Sequence, residues 1–298
     1  MKVKLMVDST FNLSEEYVKQ NNIEVIPLNV IIDGTSYLDG KEITVDEVIE
    51  AVENNKKVTT SQPTPYLFSE YFKRIRDEGF TDIICMTISS TLSGTFQAAN
   101  IGKHMVEGVN IHLIDSLSAS IGAEMLARIV VDEMNKNTKL NEIITKIEKI
   151  KLNAVIVLNM DNLSALKNSG RIGRIKATIG TLLRVKPMIE YVNGVVSINS
   201  KLRTESQVIN WMVTKMKGAL NNVTSKIHIF VAHIKAEERI KKLRQNGRTG
   251  KFKEKMRLLT TGENNGFYGK EHTEESKQKM RNAKLGAKLT DEHKKKVL

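Results

Sequence analysis

Short runs of apolar, largely β-branched residues alternate with helix-like segments along the first 244 residues of this 298-residue chain. Uninterrupted apolar runs of this kind are typical of parallel strands that are covered on both faces. Their alternation with helices favours an α/β fold with short right-handed crossovers. We predict strands at Val3–Val7, Glu24–Ile31, Asp82–Ile88, Asn110–Ile114, Ala154–Leu158, Lys186–Tyr191, Val195–Ser200 and His228–Ala232.

Helix start signals lie between these strands. Capping residues or proline mark starts at Ser14, Thr44, Pro65 and Thr204. A charged helical segment at 138–151 follows a short polar run, and we interpret it as the passage between two lobes. We therefore expect a first α/β lobe with a mostly parallel sheet at 1–150, a second lobe of mixed α/β structure at 151–245, and a short helical extension at 246–298.

Composition restricts the cellular setting. No run of 18 apolar residues occurs, so we expect no membrane span, and the charged start of the chain is unlike a secretory signal. Cys85, the single cysteine, cannot form an internal disulfide, which suits a reducing cytoplasm. Its apolar neighbours favour a buried, inert thiol over a catalytic one.

Three loops rich in hydroxyl side chains follow predicted strands or precede predicted helices. They lie at 8–10, 59–63 and 89–95. Ligands of open α/β sheets bind beyond the carboxyl ends of the strands, and hydroxyls with free amides at a helix start suit a carboxylate or phosphate. The alternative is that these residues only cap helices and fill turns. Asp115 and Ser116 follow a further strand, where they could orient a loop.

Signatures of catalysis do not accompany these loops. The chain has no nucleophile elbow, no Walker loop and no Gly-x-Gly-x-x-Gly motif, and its six histidines lack metal-ligand spacing. His233 lies near the proposed ligand edge, but a structural role is the stronger interpretation. We expect a binding protein with no catalytic residues, no metal site and no cofactor.

Six separated motifs resemble the DegV family in order and spacing over about residues 1–244. They are Val7-Asp8-Ser9-Thr10, Thr60-Ser61-Gln62-Pro63, Ser89-Ser90-Thr91-Leu92-Ser93-Gly94-Thr95, Asp115-Ser116, Ser169-Gly170-Arg171-Ile172 and Lys201-Leu202-Arg203. The resemblance implies a two-lobed protein that buries one long-chain fatty acid between its lobes. It also implies that the carboxyl group is presented to a dihydroxyacetone-kinase-like fatty-acid kinase, which makes the acyl phosphate.

The resemblance also implies roles for individual residues. Thr60 and Ser93 would hydrogen-bond the carboxylate, with Ser61 and the Gly94 amide beside them. A basic group would dock the kinase, unless it is only a solvated face; it comprises Arg171, Arg174, Lys201 and Arg203. An apolar set would line the acyl tunnel, unless it belongs to an ordinary core helix; it comprises Leu163, Ile172, Ile175, Ile179, Leu182 and Leu183.

Residues 245–298 differ from the rest of the chain. They hold 14 Lys/Arg and 7 Asp/Glu, whereas the other residues hold 32 and 27. A 17-residue repeat there, from Gly269 and again from Gly286, resembles the nuclease-associated modular DNA-binding repeat of homing endonucleases. The terminal strand and histidine motif of the DegV family are not recognisable, so we expect a C-terminally truncated second lobe. The alternative function is a DNA-binding fusion product derived from a homing-endonuclease-type mobile element, and a basic tail without a ligand is the simpler interpretation.

Overall fold

The structure is a computed structural model that describes residues 2–160, 170–171, 185–221, 229–231, 233, 236 and 238. The strands of this part are β1 (Val3–Asp8), β2 (Glu24–Ile26), β3 (Asn29–Ile32), β4 (Thr35–Leu38), β5 (Val58–Ser61), β6 (Asp82–Thr87), β7 (Asn110–Asp115), β8 (Val155–Asn159), β9 (Lys186–Val192) and β10 (Val195–Leu202). The helices are α1 (Glu15–Gln20), α2 (Val45–Glu53), α3 (Pro65–Asp77), α4 (Thr95–Lys103), α5 (Ile121–Asn135), α6 (Leu140–Lys151) and α7 (Glu205–Asn221).

A four-stranded parallel sheet in the order β2-β1-β6-β7 forms the centre of the α/β body. Successive residues of a strand point to opposite faces, and the sheet has a separate apolar core on each face. Leu5 and Ile84 pack on the face covered by α5 and α6, whereas Met6 and Ile83 pack on the face covered by α3 and α4. The prediction of an α/β fold built on a parallel sheet is thereby confirmed.

Local capping chemistry sets several helix starts. The Ser14 hydroxyl accepts a hydrogen bond from the Tyr17 amide, and Thr44 forms a capping box with Glu47. Pro65 occupies the first turn of α3, which ends at Asp77. These three predicted helix starts are confirmed. Side-chain caps favour such starts because they satisfy amides that have no partner within the helix.

Two antiparallel sheets accompany the parallel one. β4, β3 and β5 form a small sheet, and β10, β9 and β8 form a second, which we call the hairpin sheet. A two-residue turn, Asn193–Gly194, joins β9 to β10, and both residues have positive φ (49° and 76°). Asparagine and glycine adopt this conformation readily, and such turns match the twist of the paired strands.

Several predicted elements differ from the structure. The predicted strand Glu24–Ile31 is two strands, β2 and β3, in different sheets. The separation occurs at Pro27 and Leu28, where the Leu28 amide donates to the Ser9 hydroxyl instead of to a ladder. Residues 59–61, predicted as loop, belong to β5, and residues 229–231, within the predicted strand His228–Ala232, lie outside any strand. β8, β9 and β10 pair antiparallel, although their apolar runs resemble those of parallel strands.

Candidate functional site

Two aspartates at the carboxyl ends of β1 and β7 hold the loop that follows β6. The Ile88 amide donates to Asp8 Oδ2 at 2.6 Å, and the Ser90 amide donates to Asp115 Oδ1 at 3.2 Å. β1 and β7 lie on either side of β6, so the loop is bound from both neighbouring strands. The role of orienting a loop, predicted for Asp115, is therefore observed, and Asp8 performs the same role from the other side.

Asp8 occupies an unusual electrostatic environment for a carboxylate. Its side chain is fully buried, and the amide and hydroxyl of Thr10 donate to its Oδ1. Burial raises the pKa of Asp8 to about 6, although these hydrogen bonds and the one from Ile88 lower it. Burial therefore disfavours the ionised form of Asp8, and the hydrogen bonds from Thr10 and Ile88 stabilise it.

The loop at 89–95 places the Ser93 hydroxyl inside the protein. The Ser89 carbonyl accepts hydrogen bonds from the Leu92 and Ser93 amides, which closes a tight turn. Ser93 is 8% exposed, and its Oγ lies 2.8 Å from Oγ1 of Thr95. When Thr95 is the donor of that hydrogen bond, the Ser93 proton is available to a carboxylate.

The second and third hydroxyl loops meet at Gly94. A Cβ atom at Gly94 would overlap the side-chain amide of Gln62, so the Gln62 side chain rests directly on the glycine. Thr60 and Ser61 are exposed at the end of β5, where they pair with Val30 and Asn29 of β3.

Gly94 is also the N-cap of α4, and it contributes no side-chain cap. The positive end of the α4 dipole therefore lies beside Ser93 and Gln62. Gln62, next to Thr60 and Ser61 along the chain, thus joins the end of β5 to Ser93, Gly94 and the start of α4. The role of Thr60, Ser61, Ser93 and Gly94 in holding a carboxylate stays a prediction.

The tip of the hairpin sheet docks on this edge of the parallel sheet. The Thr91 hydroxyl donates to the Gly194 carbonyl at 2.6 Å, and the Gly194 amide donates to the Leu117 carbonyl at 3.2 Å. Tyr191 is buried, with its hydroxyl 3.2 Å from Oγ1 of Thr91. These contacts were not predicted from the sequence, although an Asn-Gly pair between two apolar runs is a strong hairpin signal.

The residues predicted to dock a partner lie in two places. Arg171 is partly buried, and its Nε donates to the Leu92 carbonyl at 3.3 Å, which puts it against the 89–95 loop. Lys201 and Arg203 are exposed at the end of β10. Arg174, the apolar residues predicted to line the acyl tunnel, and the whole predicted extension at 246–298 with its repeats lie outside the described residues.

The remaining candidate groups have structural partners or surroundings. Cys85 is buried, as predicted, and burial raises the pKa of its thiol. His233 is exposed and accepts a hydrogen bond from the Ala236 amide. The described residues contain no group of three or more His, Cys, Asp or Glu side chains that could hold a metal ion. The described helices include none that is both long and apolar enough to cross a membrane.

Comparison with known proteins gives consistent matches. The model of the DegV family, described as uncharacterised proteins, matches residues 2–269 and thus extends past residue 245. A DegV domain-containing protein of Listeria monocytogenes is 32% identical over 225 residues, covering 75% of this chain and 80% of the relative.

Solved structures show the same fold. A DegV family protein from Thermus thermophilus, described by its fatty-acid binding, has a TM-score of 0.69 at 27% identity and covers 74% of this chain and 79% of its own. A stearic-acid-binding protein from Eubacterium ventriosum has a TM-score of 0.69 at 28% identity and covers 74% and 77%.

Proposed function

The chain belongs to the DegV family, and from this premise we propose that it is a cytoplasmic, non-catalytic carrier of one long-chain fatty acid. The carboxyl group binds at the edge of the parallel sheet where Ser93 and Gly94 meet Gln62, directly after the end of β5 that carries Thr60 and Ser61. The observation that carries the proposal is the contact between Gln62 and Gly94, because it unites the two hydroxyl loops. Fatty-acid binding by the relatives from Thermus and Eubacterium supports it.

The chemistry of this edge suits a carboxylate that must later be released. Ser93 offers a neutral hydroxyl donor, and the start of α4 adds the partial positive charge of its dipole. Neutral donors hold a carboxylate without a tight ion pair, so its oxygens stay accessible for transfer. Affinity then depends on the acyl chain, whose burial contributes about 0.8 kcal/mol for each methylene group.

Mutation of the head-group hydroxyls tests the proposal directly. Loss of a hydrogen bond to a charged group weakens binding by about 1.5–3 kcal/mol, so Ser93→Ala should raise the Kd for oleate by roughly 10- to 150-fold, and Thr60→Ala should act in the same direction. Ser36→Ala, which removes an exposed hydroxyl on β4, is the matched control. Fatty-acid binding would be contradicted if native mass spectrometry showed no bound lipid and the protein also failed to bind added palmitate and oleate.

The second step of the proposal is delivery of the carboxyl group to a kinase. A dihydroxyacetone-kinase-like enzyme would dock on the surface that presents Lys201 and Arg203, while Arg171 supports the 89–95 loop through Leu92. The basic charge of this surface would attract an acidic patch on the kinase and speed association. Support for this step comes from the motif resemblance and from the exposure of the two residues at the end of β10.

Charge reversal tests the docking step separately from lipid binding. The Lys201→Glu/Arg203→Glu variant should lower the rate of ATP-dependent acyl-phosphate formation with the kinase, and the loss should depend on salt. Lys19→Glu/Lys149→Glu makes the same charge change on exposed positions of α1 and α6. Equal rates for the two double variants would argue against a docking surface at Lys201 and Arg203, whatever the oleate affinity.

A further inference from the structure

The Asn193–Gly194 turn touches the loops that follow two adjacent strands of the parallel sheet. It meets Thr91, beyond β6, and Leu117, beyond β7. Leu117 is itself held by Asp115, since its amide donates to Asp115 Oδ1 at 3.0 Å. The hairpin tip therefore rests on loops that are already bound to the sheet.

The hydrogen bonds around the Thr91 hydroxyl form a directed set. A threonine hydroxyl has one proton and two acceptor positions. Its proton goes to the Gly194 carbonyl, so the hydroxyls of Ser89, at 2.9 Å, and Tyr191, at 3.2 Å, donate to it. If the Gly194 carbonyl moved away, the Thr91 hydroxyl would lose the acceptor that fixes the direction of these three hydrogen bonds.

This set reaches the proposed head-group hydroxyl through one residue. Ser89, which bonds Thr91 through its side chain, also accepts the Ser93 amide through its carbonyl at 3.1 Å. A displacement of Thr91 is therefore transmitted to Ser93 through Ser89.

We propose that the Asn193–Gly194 turn is a positioning element of the fatty-acid site, which acts through Thr91 on Ser93 and controls how long a bound fatty acid stays. This inference rests on the proposed function, since it concerns the same site. This role requires no contact between the turn and the ligand. The Asn193–Gly194 turn keeps the 89–93 turn in the conformation in which the Ser93 hydroxyl faces the carboxyl group.

Gly194 is the position at which this idea can be tested with little else disturbed. A Cβ atom there would lie 3.1 Å from Cγ2 of Thr91 and 3.4 Å from Cδ2 of Leu117, and the residue has a φ of +76°. Alanine would therefore be strained and would also push the turn away from Thr91. Gly34, in the turn between β3 and β4, has a φ of +91°, and a methyl group on it would meet no atom within 4 Å. Gly34→Ala thus reproduces the backbone strain without the contact.

The experiment measures oleate dissociation from the full chain by stopped-flow displacement. Oleate should dissociate roughly tenfold faster from Gly194→Ala than from Gly34→Ala. Changes at a binding site mostly alter the dissociation rate rather than the association rate. The Thr91→Ser/Gly194→Ala variant removes the Cγ2 atom that the new methyl group meets and keeps the hydroxyl. The rate of oleate dissociation from this double variant should return to within about threefold of the rate for Thr91→Ser alone. The effects of the two substitutions are not additive, because the atoms that they change are in contact.

Two outcomes would overturn the positioning role. One is equal dissociation from Gly194→Ala and Gly34→Ala, and the other is failure of Thr91→Ser to restore the Gly194→Ala variant. Failure of the proposed function has a different signature, namely that the unmodified chain does not bind oleate at all. In that case hydrogen exchange at the Ser93 amide decides: faster exchange in Gly194→Ala than in Gly34→Ala supports the positioning role, and equal exchange overturns it.

Discussion

The two ends of the parallel sheet shift the pKa values of their buried carboxylates in opposite directions. At the amino end, Asp82 accepts hydrogen bonds from the side chains of Thr81 and Asn110 and lies 3.2 Å from Nε2 of His112. Burial raises the pKa of Asp82, but these partners outweigh it and the pKa is lowered. At the carboxyl end, burial prevails over the hydrogen bonds, and the pKa of Asp8 is raised to about 6.

Backbone and hydroxyl groups show the same contrast. The left-handed residues before β6 and β7 are Gly79 and Gly108, whereas at the carboxyl end Leu117 and Ser120 adopt positive φ values of 49°. Thr87, the last residue of β6, has a buried hydroxyl without a hydrogen-bond partner among the described residues. The left-handed positions before β6 and β7 are glycines, which suit the conformation, whereas positive φ at the carboxyl end also falls on a leucine and a serine, which do not.

Unfavourable conformations and poorly solvated polar groups persist where another requirement outweighs stability. In an open α/β sheet the carboxyl end is where ligands bind. The contrast therefore supports the proposed location of a fatty-acid site at this end, independently of the motif resemblance. It also predicts that stability will depend on pH with opposite signs through Asp8 and Asp82, because the pKa of one is raised and that of the other is lowered.

The largest expected effect concerns the charge of Asp8. Its pKa is about 6 in the folded protein against 3.8 for an unperturbed aspartate. The folded state keeps the proton that the unfolded state releases, so the free energy of unfolding should fall by about 3 kcal/mol as the pH rises from below the unfolded pKa to above the folded one. Urea unfolding at a series of pH values should show this fall, and Asp8→Asn should lack it. The same slope in both proteins would disprove the assignment to Asp8.

Asp82 should show the opposite dependence and a smaller effect. Its folded pKa lies below 3.8, so its contribution is present above that pH and is lost as the pH falls further. Asp82→Ala removes an acceptor from three side chains and should lower the free energy of unfolding at pH 7 by about 1–2 kcal/mol. If the same urea unfolding showed that Asp82→Ala is more stable, the conclusion that the partners of Asp82 stabilise its carboxylate would be wrong.

Thr87 offers a substitution that should stabilise the protein. Valine has nearly the shape of threonine and removes the unpartnered hydroxyl, so Thr87→Val should raise the free energy of unfolding by about 1 kcal/mol. Thermal unfolding of the lipid-free protein measures this. Thr95→Val is the informative counterpart, since the Thr95 hydroxyl has a partner in Ser93, and its loss should destabilise. Destabilisation by both substitutions would mean that Thr87 has a partner in solution.

Local physics made much of the parallel sheet predictable from sequence. The apolar runs at β1, β6 and β7 were recognised within one residue, and the caps at Ser14 and Thr44 fixed the helix starts. These signals depend on neighbours a few residues apart, which a single sequence displays. The hydroxyl loops at 8–10 and 89–95 followed from them, because the carboxyl ends of parallel strands lie at one edge.

Long-range pairing was not predictable in the same way. β5 pairs with β3, which lies about thirty residues earlier, and no local signal distinguishes Val58–Ser61 from a polar loop. The contact of Gln62 with Gly94 depends on that pairing, so the sequence indicated the loops but not the way they meet. The Asn193–Gly194 hairpin did have a local signal, but its docking on Thr91 did not.

The smallest expected effect on stability belongs to Gly94, although it lies at the centre of the proposed site. Its φ of −79° suits any residue, and the atoms that a methyl group would meet belong to the end of an exposed Gln62 side chain. Gly94→Ala should therefore change the free energy of unfolding by less than about 0.5 kcal/mol.

Displacement of the Gln62 amide by Gly94→Ala should still change the head-group site. We expect weaker oleate binding in Gly94→Ala and recovery in Gln62→Ala/Gly94→Ala, where the methyl group has room. Isothermal titration of the two variants, with Gln62→Ala as the reference, measures this coupling. Weak binding that persists in the double variant would show that the glycine is needed for close approach of the ligand itself, and not for the junction of the two loops.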